Sequence, residues 1–138
     1  MLMDDPVPTF THLVSELRGL EFAFLDLIEA RIRGNVDSDC HADKDVSWLV
    51  KRWNNTSPVF LAGGFTTETA CHTVHVKYAG FNVGIIFGRY FTSNPDLVYR
   101  VRKSLPFTKY DRSTFYTPKL ERGYIDWPFS ESFVDLVR

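Results

Sequence analysis

Pro58-Val59-Phe60-Leu61-Ala62-Gly63-Gly64-Phe65-Thr66-Thr67 decides the fold. Its apolar run is short and rich in branched and aromatic residues, which reads as a strand. The glycine pair stops that strand, and Thr66 or Thr67 can cap a following helix running to about Ala79, with Glu68 adding a favourable negative charge in its first turn. The same order returns at Val83-Gly84-Ile85-Ile86-Phe87, a strand ended by Gly88-Arg89. It also precedes the first stretch, at Phe22-Ala23-Phe24-Leu25-Asp26-Leu27-Ile28, which the pattern reads as a strand covered on both faces.

Helical spacing fills the intervals. Phe10, Leu13, Val14 and Leu17 recur on one helical face after Pro6 and Pro8, with Thr9 or Thr11 as N-cap and Gly19 as C-cap. Val46, Leu49, Val50 and Trp53 mark a second helix from about Asp45 to Trp53, after a polar loop from Gly34 to Lys44. Asn94-Pro95-Asp96 opens a helix to about Lys103. The rest, from Pro106, is loop-rich, with a short helix near Ser130 to Val137. Strands alternating with helices of this length imply parallel strands and right-handed crossovers. The reading is therefore α/β: one domain over residues 1–138, a partial (β/α)8 barrel of about three β/α units with a loop-rich C-terminal segment.

Composition bounds the function. The net charge is −1, which suggests neither a nucleic-acid nor a membrane field. No run of 18 apolar residues and no basic-then-apolar leader is present, so the expectation is a cytoplasmic protein. Cys40 and Cys71 read as free thiols of a reducing compartment. A barrel needs about 250 residues, and this chain has 138. Three parallel strands leave two open edges and an apolar face, so the expectation is a homo-oligomer, most simply a two-fold dimer.

Several residues can carry chemistry. Gly63 and Gly64, and Gly88 with Arg89, each follow a strand and precede a helix, where phosphate is commonly bound in barrels. The same glycines serve equally to close tight turns. Asp26 is an ionisable group in an otherwise apolar strand, hence a candidate general acid or base if buried. Glu29 and Arg31 share one strand face near its C-terminal end, as pocket residues or as an ion-pair set. The loop from Asn35 to Asp45 lacks the glycine and glutamate of a calcium loop. Cys71, His72 and His75 share a helix face but fall short of a closed zinc site. No metal is expected at either place.

Phe87-Gly88-Arg89-Tyr90-Phe91-Thr92-Ser93-Asn94-Pro95-Asp96-Leu97, Lys109-Tyr110-Asp111-Arg112-Ser113-Thr114-Phe115-Tyr116-Thr117-Pro118 and Gly123-Tyr124-Ile125-Asp126-Trp127-Pro128 together resemble the C-terminal end of the old yellow enzymes, flavin-dependent ene reductases on a (β/α)8 barrel. The similarity starts near Asp5-Pro6-Val7-Pro8-Thr9-Phe10, so the resemblance implies that the first part of the barrel is missing. It further implies that Gly63, Gly64, Gly88 and Arg89 match positions holding the phosphate of FMN. Phe115 and Tyr116 match an aromatic pair beside flavin and substrate; packing in a crowded aromatic segment is the equal alternative. Family members often carry His where this chain has Asp26. The family's flavin-contacting Thr and Gln, its His/Asn substrate pair, its proton-donating Tyr and a basic residue beside the flavin all come from segments absent here. The expectation is accordingly a fungal secondary-metabolism enzyme without cofactor, an isomerase or cyclase using Asp26 and Tyr116. FMN- and NAD(P)H-dependent ene reduction, and a non-catalytic partner subunit, are the alternatives.

Overall fold

The computed structural model describes residues 3–29 and 45–137. Arg31, Cys40 and the candidate metal loop up to Lys44 lie outside the described residues. The chain divides into two compact units, one formed by residues up to Gly64 with His72–Ile86, the other by Phe65–Cys71 with the residues from Phe87 onward.

The first unit holds helix α1 (Val7–Leu17), strand β1 (Leu25–Ile28), helix α2 (Ser47–Trp53), strand β2 (Val59–Ala62) and strand β3 (Val83–Ile86). The strands form one parallel sheet in the order β1-β2-β3, as the alternation predicts. Asp26, Phe60 and Gly84 lie level across the sheet, and Ile28, Ala62 and Ile86 form the next row on that face. The opposite face carries Leu25, Val59 and Val83, then Leu27, Leu61 and Ile85. Val59 and Leu61 are buried, as are Val14, Leu49, Val50, Trp53 and Tyr78. The Trp53 indole N–H donates to the Ser57 carbonyl at 2.9 Å, satisfying the one polar atom of a fully buried ring.

Helix α3 (Thr67–His72) is capped by the Thr66 hydroxyl, which accepts from the Thr69 N–H at 3.3 Å. It continues from Thr73 to Lys77 as a widened π turn, closed by the Tyr78 N–H donating to the Thr73 carbonyl at 3.0 Å.

Several local expectations are corrected. The cap of α1 is Pro6 with no side-chain bond, because Thr9 and Thr11 already lie inside the helix. Gly19 sits in a 3-10 turn, and Glu21 takes the left-handed conformation at φ 52°. Strand β1 is shorter than the apolar run, and among the described residues only one of its faces is covered: Asp26 and Ile28 are exposed, Ile28 at 70%. In a closed barrel that face lines the interior; the three strands among the described residues leave it exposed.

The second unit contains helix α4 (Arg89–Ser93), helix α5 (Leu97–Lys103), a 3-10 turn (Arg112–Thr114) and helix α6 (Glu131–Val137). Helix α4 was not expected, since the chain runs Gly88-Arg89 directly into a five-residue helix without apolar periodicity. A buried polar hub organises the unit. The Asn94 amide donates to the carbonyls of Tyr90 (2.8 Å) and Thr108 (2.9 Å), and its oxygen accepts from the Thr108 N–H at 2.8 Å. The buried Asp96 carboxylate accepts from Arg100 Nε at 2.7 Å, from the Ser130 N–H at 2.9 Å and from the Ser130 hydroxyl. Arg100 also donates to the Pro106 carbonyl and the Thr108 hydroxyl, each at 3.1 Å.

Leu61→Ala is expected to cost about 2–5 kcal/mol, since it empties a fully buried site. Ile28→Ala on the open face should stay within about 0.5 kcal/mol. Urea denaturation followed by tryptophan fluorescence separates the two, and equal costs would mean that the open face is covered in solution. Asp96→Ala strands the buried Arg100 and should cost about 3–5 kcal/mol in the same assay.

Candidate functional site

Gly63 stands directly after β2, with φ +137°, a conformation that L side chains rarely adopt. A Cβ there would lie 3.1 Å from the Glu29 carbonyl oxygen and 3.2 Å from the Glu29 Cβ. The absent side chain thus lets the end of β2 close on the end of β1, where the Glu29 N–H donates to the Ala62 carbonyl at 2.8 Å. Gly64 follows with φ 63°. For this pair the turn-closing reading has direct geometric support.

Glu29 itself is only 6% exposed. Its carboxylate lies 3.5 Å from Lys77 Nζ, which lies 3.0 Å from the Asp45 carboxylate. The same Nζ is 5.0 Å from the centroid of the buried Tyr78 ring. The sequence pattern points to Glu29 but not to Lys77, because a lysine ending a helix reads as a solvated charge. Burial pushes the Asp45 carboxyl up, but hydrogen bonds from Ser47 and Lys77 outweigh it and the net pKa is lowered. Burial likewise pushes the Lys77 ammonium down, yet the bond to Asp45 and the charge of Glu29 leave it raised. Burial raises the Tyr78 phenol.

Asp26 does not join this cluster. It is exposed, and its carboxylate has no partner among the described residues. The acid–base reading supposed a buried carboxylate, whereas Asp26 is exposed.

In the second unit, Gly88 precedes α4, and no atom lies within 4 Å of where its Cβ would stand. The space beside Gly88 is open, unlike that beside Gly63. The neighbouring Arg89 guanidinium donates from Nη1 to the Tyr110 hydroxyl at 3.4 Å. Tyr110 begins a chain of rings: its ring lies 5.2 Å from Tyr90 and 5.3 Å from Phe115. Phe115 is buried, and the Arg112 guanidinium carbon lies 5.7 Å from its ring centroid. Tyr116 stands edge-on to Phe115 at 6.4 Å and is 83% exposed. The Tyr124 hydroxyl donates to the Phe115 carbonyl, which fixes the backbone carrying both rings. The structure therefore brings Arg89 and Phe115 into one aromatic cluster through Tyr110, a residue to which the sequence pattern assigns no role.

Cys71 is exposed, and among the described residues no group of three or more His, Cys, Asp or Glu side chains is placed to hold a metal. No helix among the described residues is long and apolar enough to cross a membrane.

No family model matches the chain. Among curated proteins it is 46% identical to the NADP-dependent oxidoreductase lnbE of Aspergillus flavus, over 99% of this chain and 38% of that protein. It is 38% identical to a "Probable inactive dehydrogenase easA" of Claviceps fusiformis, over 96% of this chain and 36% of that protein. Among solved structures, the old yellow enzyme from Pichia sp. AKU4542 superposes with a TM-score of 0.71 and 32% identity, over 91% of this chain and 30% of that one. The chain is similar to the C-terminal part of the old yellow enzymes. It spans under two fifths of the length of the curated relatives it matches. Its three-stranded sheet is a partial old yellow enzyme barrel.

The Lys77 cluster sets a pH window. Asp45, lowered in the fold, stabilises above the ordinary carboxyl value of 3.8, and this is lost as pH falls through the folded value. Lys77, raised in the fold, stabilises below the ordinary 10.5, and this is lost as pH rises through the folded value. Lys77→Met should therefore shrink the alkaline loss of stability without abolishing it, because the raised Tyr78 phenol contributes to the same limb. Urea midpoints measured from about pH 5 to about pH 11 test this, and an unchanged alkaline limb would assign the window to Tyr78 alone.

Proposed function

We propose that this chain carries the phosphate-holding end of an NADP-linked, FMN-dependent reductase acting on small fungal secondary metabolites. The observation that carries the reading is the pair Gly88-Arg89. Open space beside Gly88 lets an anion approach the backbone, and Arg89 offers a planar fork of donors suited to phosphate oxygens. The Tyr110 hydroxyl restrains that fork, so less side-chain freedom is lost on binding. The likeness to the Aspergillus oxidoreductase supports the redox class.

In this reading Arg89 and the backbone at Gly88 hold the phosphate group. Phe115, fixed by Tyr110, Arg112 and the Tyr124 bond, offers a flat apolar wall. Tyr116 presents a phenol that can donate a hydrogen bond to a substrate carbonyl oxygen. When bound, FMN would supply hydride-transfer chemistry. Gly63 and Gly64 shape the strand end against Glu29.

Binding separates this from a bare fold likeness. The 138-residue chain is expected to prefer FMN over riboflavin by about tenfold or more, the discrimination that a charged hydrogen bond gives. Arg89→Ala should erase the preference while leaving the circular dichroism spectrum unchanged. Fluorescence titration with the two flavins measures both, and equal affinities would remove Gly88-Arg89 as a phosphate seat.

A second reading is favoured by the relative named inactive. In it the chain works without flavin, as an isomerase or cyclase, with Tyr116 as the proton-transferring group and Arg89 holding an anionic substrate oxygen. Tyr116 is 83% exposed, so it reaches a ligand without rearrangement. Absence of binding to either flavin, together with conversion of a conjugated ketone that Tyr116→Phe slows, would select this reading over the first.

A further inference from the structure

Helices α1 and α2 pack along one seam of the first unit, and two arginines cross it in opposite directions. The Arg18 Nε–H, from the 3-10 turn that follows α1, donates to the Thr56 hydroxyl at 3.1 Å. The Arg52 Nε–H, from the last turn of α2, donates to the Ser15 hydroxyl at 2.8 Å. Each hydroxyl is itself committed: Ser15 donates to the Thr11 carbonyl at 2.5 Å, and Thr56 to the Trp53 carbonyl at 2.6 Å. With its one proton so used, each hydroxyl can only accept, and the Nε–H it accepts fixes the plane of that guanidinium.

Both arginines are exposed, and the outer N–H groups of each have no hydrogen-bond or ion-pair partner among the described residues. Ser15 and Arg18 share a face of α1, so both bonds lie on the same seam. Lys51 adds a cation next to Arg52, and α2 has no carboxylate. Glu16, the one acid of α1, lies 4.0 Å from His12, and Glu21 follows beyond the turn. A cation near a helix C-terminus offsets the macrodipole, which accounts for a positive charge at each position. It does not account for two guanidiniums pinned through Nε by hydroxyls whose own protons are tied down. A planar fork held in this way loses less side-chain freedom when it takes an oxyanion, and its outer edge matches two phosphate oxygens.

We propose that Arg18 and Arg52 form a phosphomonoester-binding site on the seam of α1 and α2, each offering the outer edge of its fork to the dianion, with Lys51 adding charge. The bound group ties the two helices together. The site belongs to the first unit, whereas Gly88-Arg89 belongs to the second, so it stands whether or not that pair holds phosphate.

Inorganic phosphate is the probe, added to the 138-residue chain carrying Arg89→Ala so that Arg89 cannot contribute. At constant ionic strength near neutral pH, the Nε–Hε resonances of Arg18 and Arg52 are expected to shift together and saturate. The dissociation constant should be on the order of millimolar, the scale of an exposed charged contact. Arg18→Gln and Arg52→Gln should each weaken binding by about tenfold or more. Ser15→Ala keeps both charges but unpins Arg52, and should weaken binding by about threefold. Phosphatidylcholine vesicles with and without phosphatidylinositol 4-phosphate separate the sources. Co-sedimentation with the phosphorylated vesicles alone, lost in Arg52→Gln, assigns the site to a lipid headgroup; phosphate binding without it assigns the site to a soluble phosphomonoester. Three results overturn the proposal: neither resonance moves, chloride shifts both as far as phosphate does, or the two Gln variants, folded by circular dichroism, bind phosphate as tightly as their parent.

Discussion

Everything in the first unit is hung on β2. Its backbone is committed on both sides, with Val59 donating to the Asn82 carbonyl at 2.9 Å on one flank and the Pro58 and Ala62 carbonyls accepting from β1 on the other. An interior parallel strand has no solvent to fall back on, so each of those groups must find its partner in the ladder. The end of β2 sets the position of Gly63, and the missing Cβ there sets how closely Glu29 approaches. The carboxylate facing Lys77 is therefore placed by strand pairing, and the ion pairs follow from the sheet.

The second unit is held differently. It has no sheet to satisfy its backbone, and long loops carry much of the chain. Buried side chains supply the missing partners. Asn94 fastens the Tyr90 and Thr108 carbonyls, and Asp96 fastens Ser130 and Arg100. Such a hub is unforgiving, because every buried polar member must be satisfied. It also orders the backbone from which Tyr110 and Phe115 project.

The strands and longer helices were legible because their apolar residues repeat at periods of two and of 3.6. Periodicity cannot report whether a neighbour exists to cover a face, and so Asp26 read as buried when it is exposed. Helix α4 was hidden by its length, since five residues carry no repeat. Asn94 and Asp96 read as helix-start residues, and nothing local showed that Asn94 would reach across to Thr108. At the candidate site, Arg89 was found from its place between a strand and a helix and Phe115 through family likeness, whereas Tyr110 between them depends on a spatial contact that spacing does not show. Lys77 was missed for the same reason: Glu29, its partner, lies far away along the chain.

The π turn from Thr73 to Lys77 turns helix length into a matter of phase. A π turn holds one residue more than the α-helical turn it replaces, and one residue is about 100° of rotation. Lys77 ends that turn with its ammonium 3.5 Å from Glu29 and 3.0 Å from Asp45. Among homologous chains, the loss of a single residue here would leave composition and hydrophobicity almost unchanged, yet would swing the ammonium off both carboxylates. An insertion or deletion count in this helix is thus a better guide to whether a relative keeps the charge cluster than percentage identity.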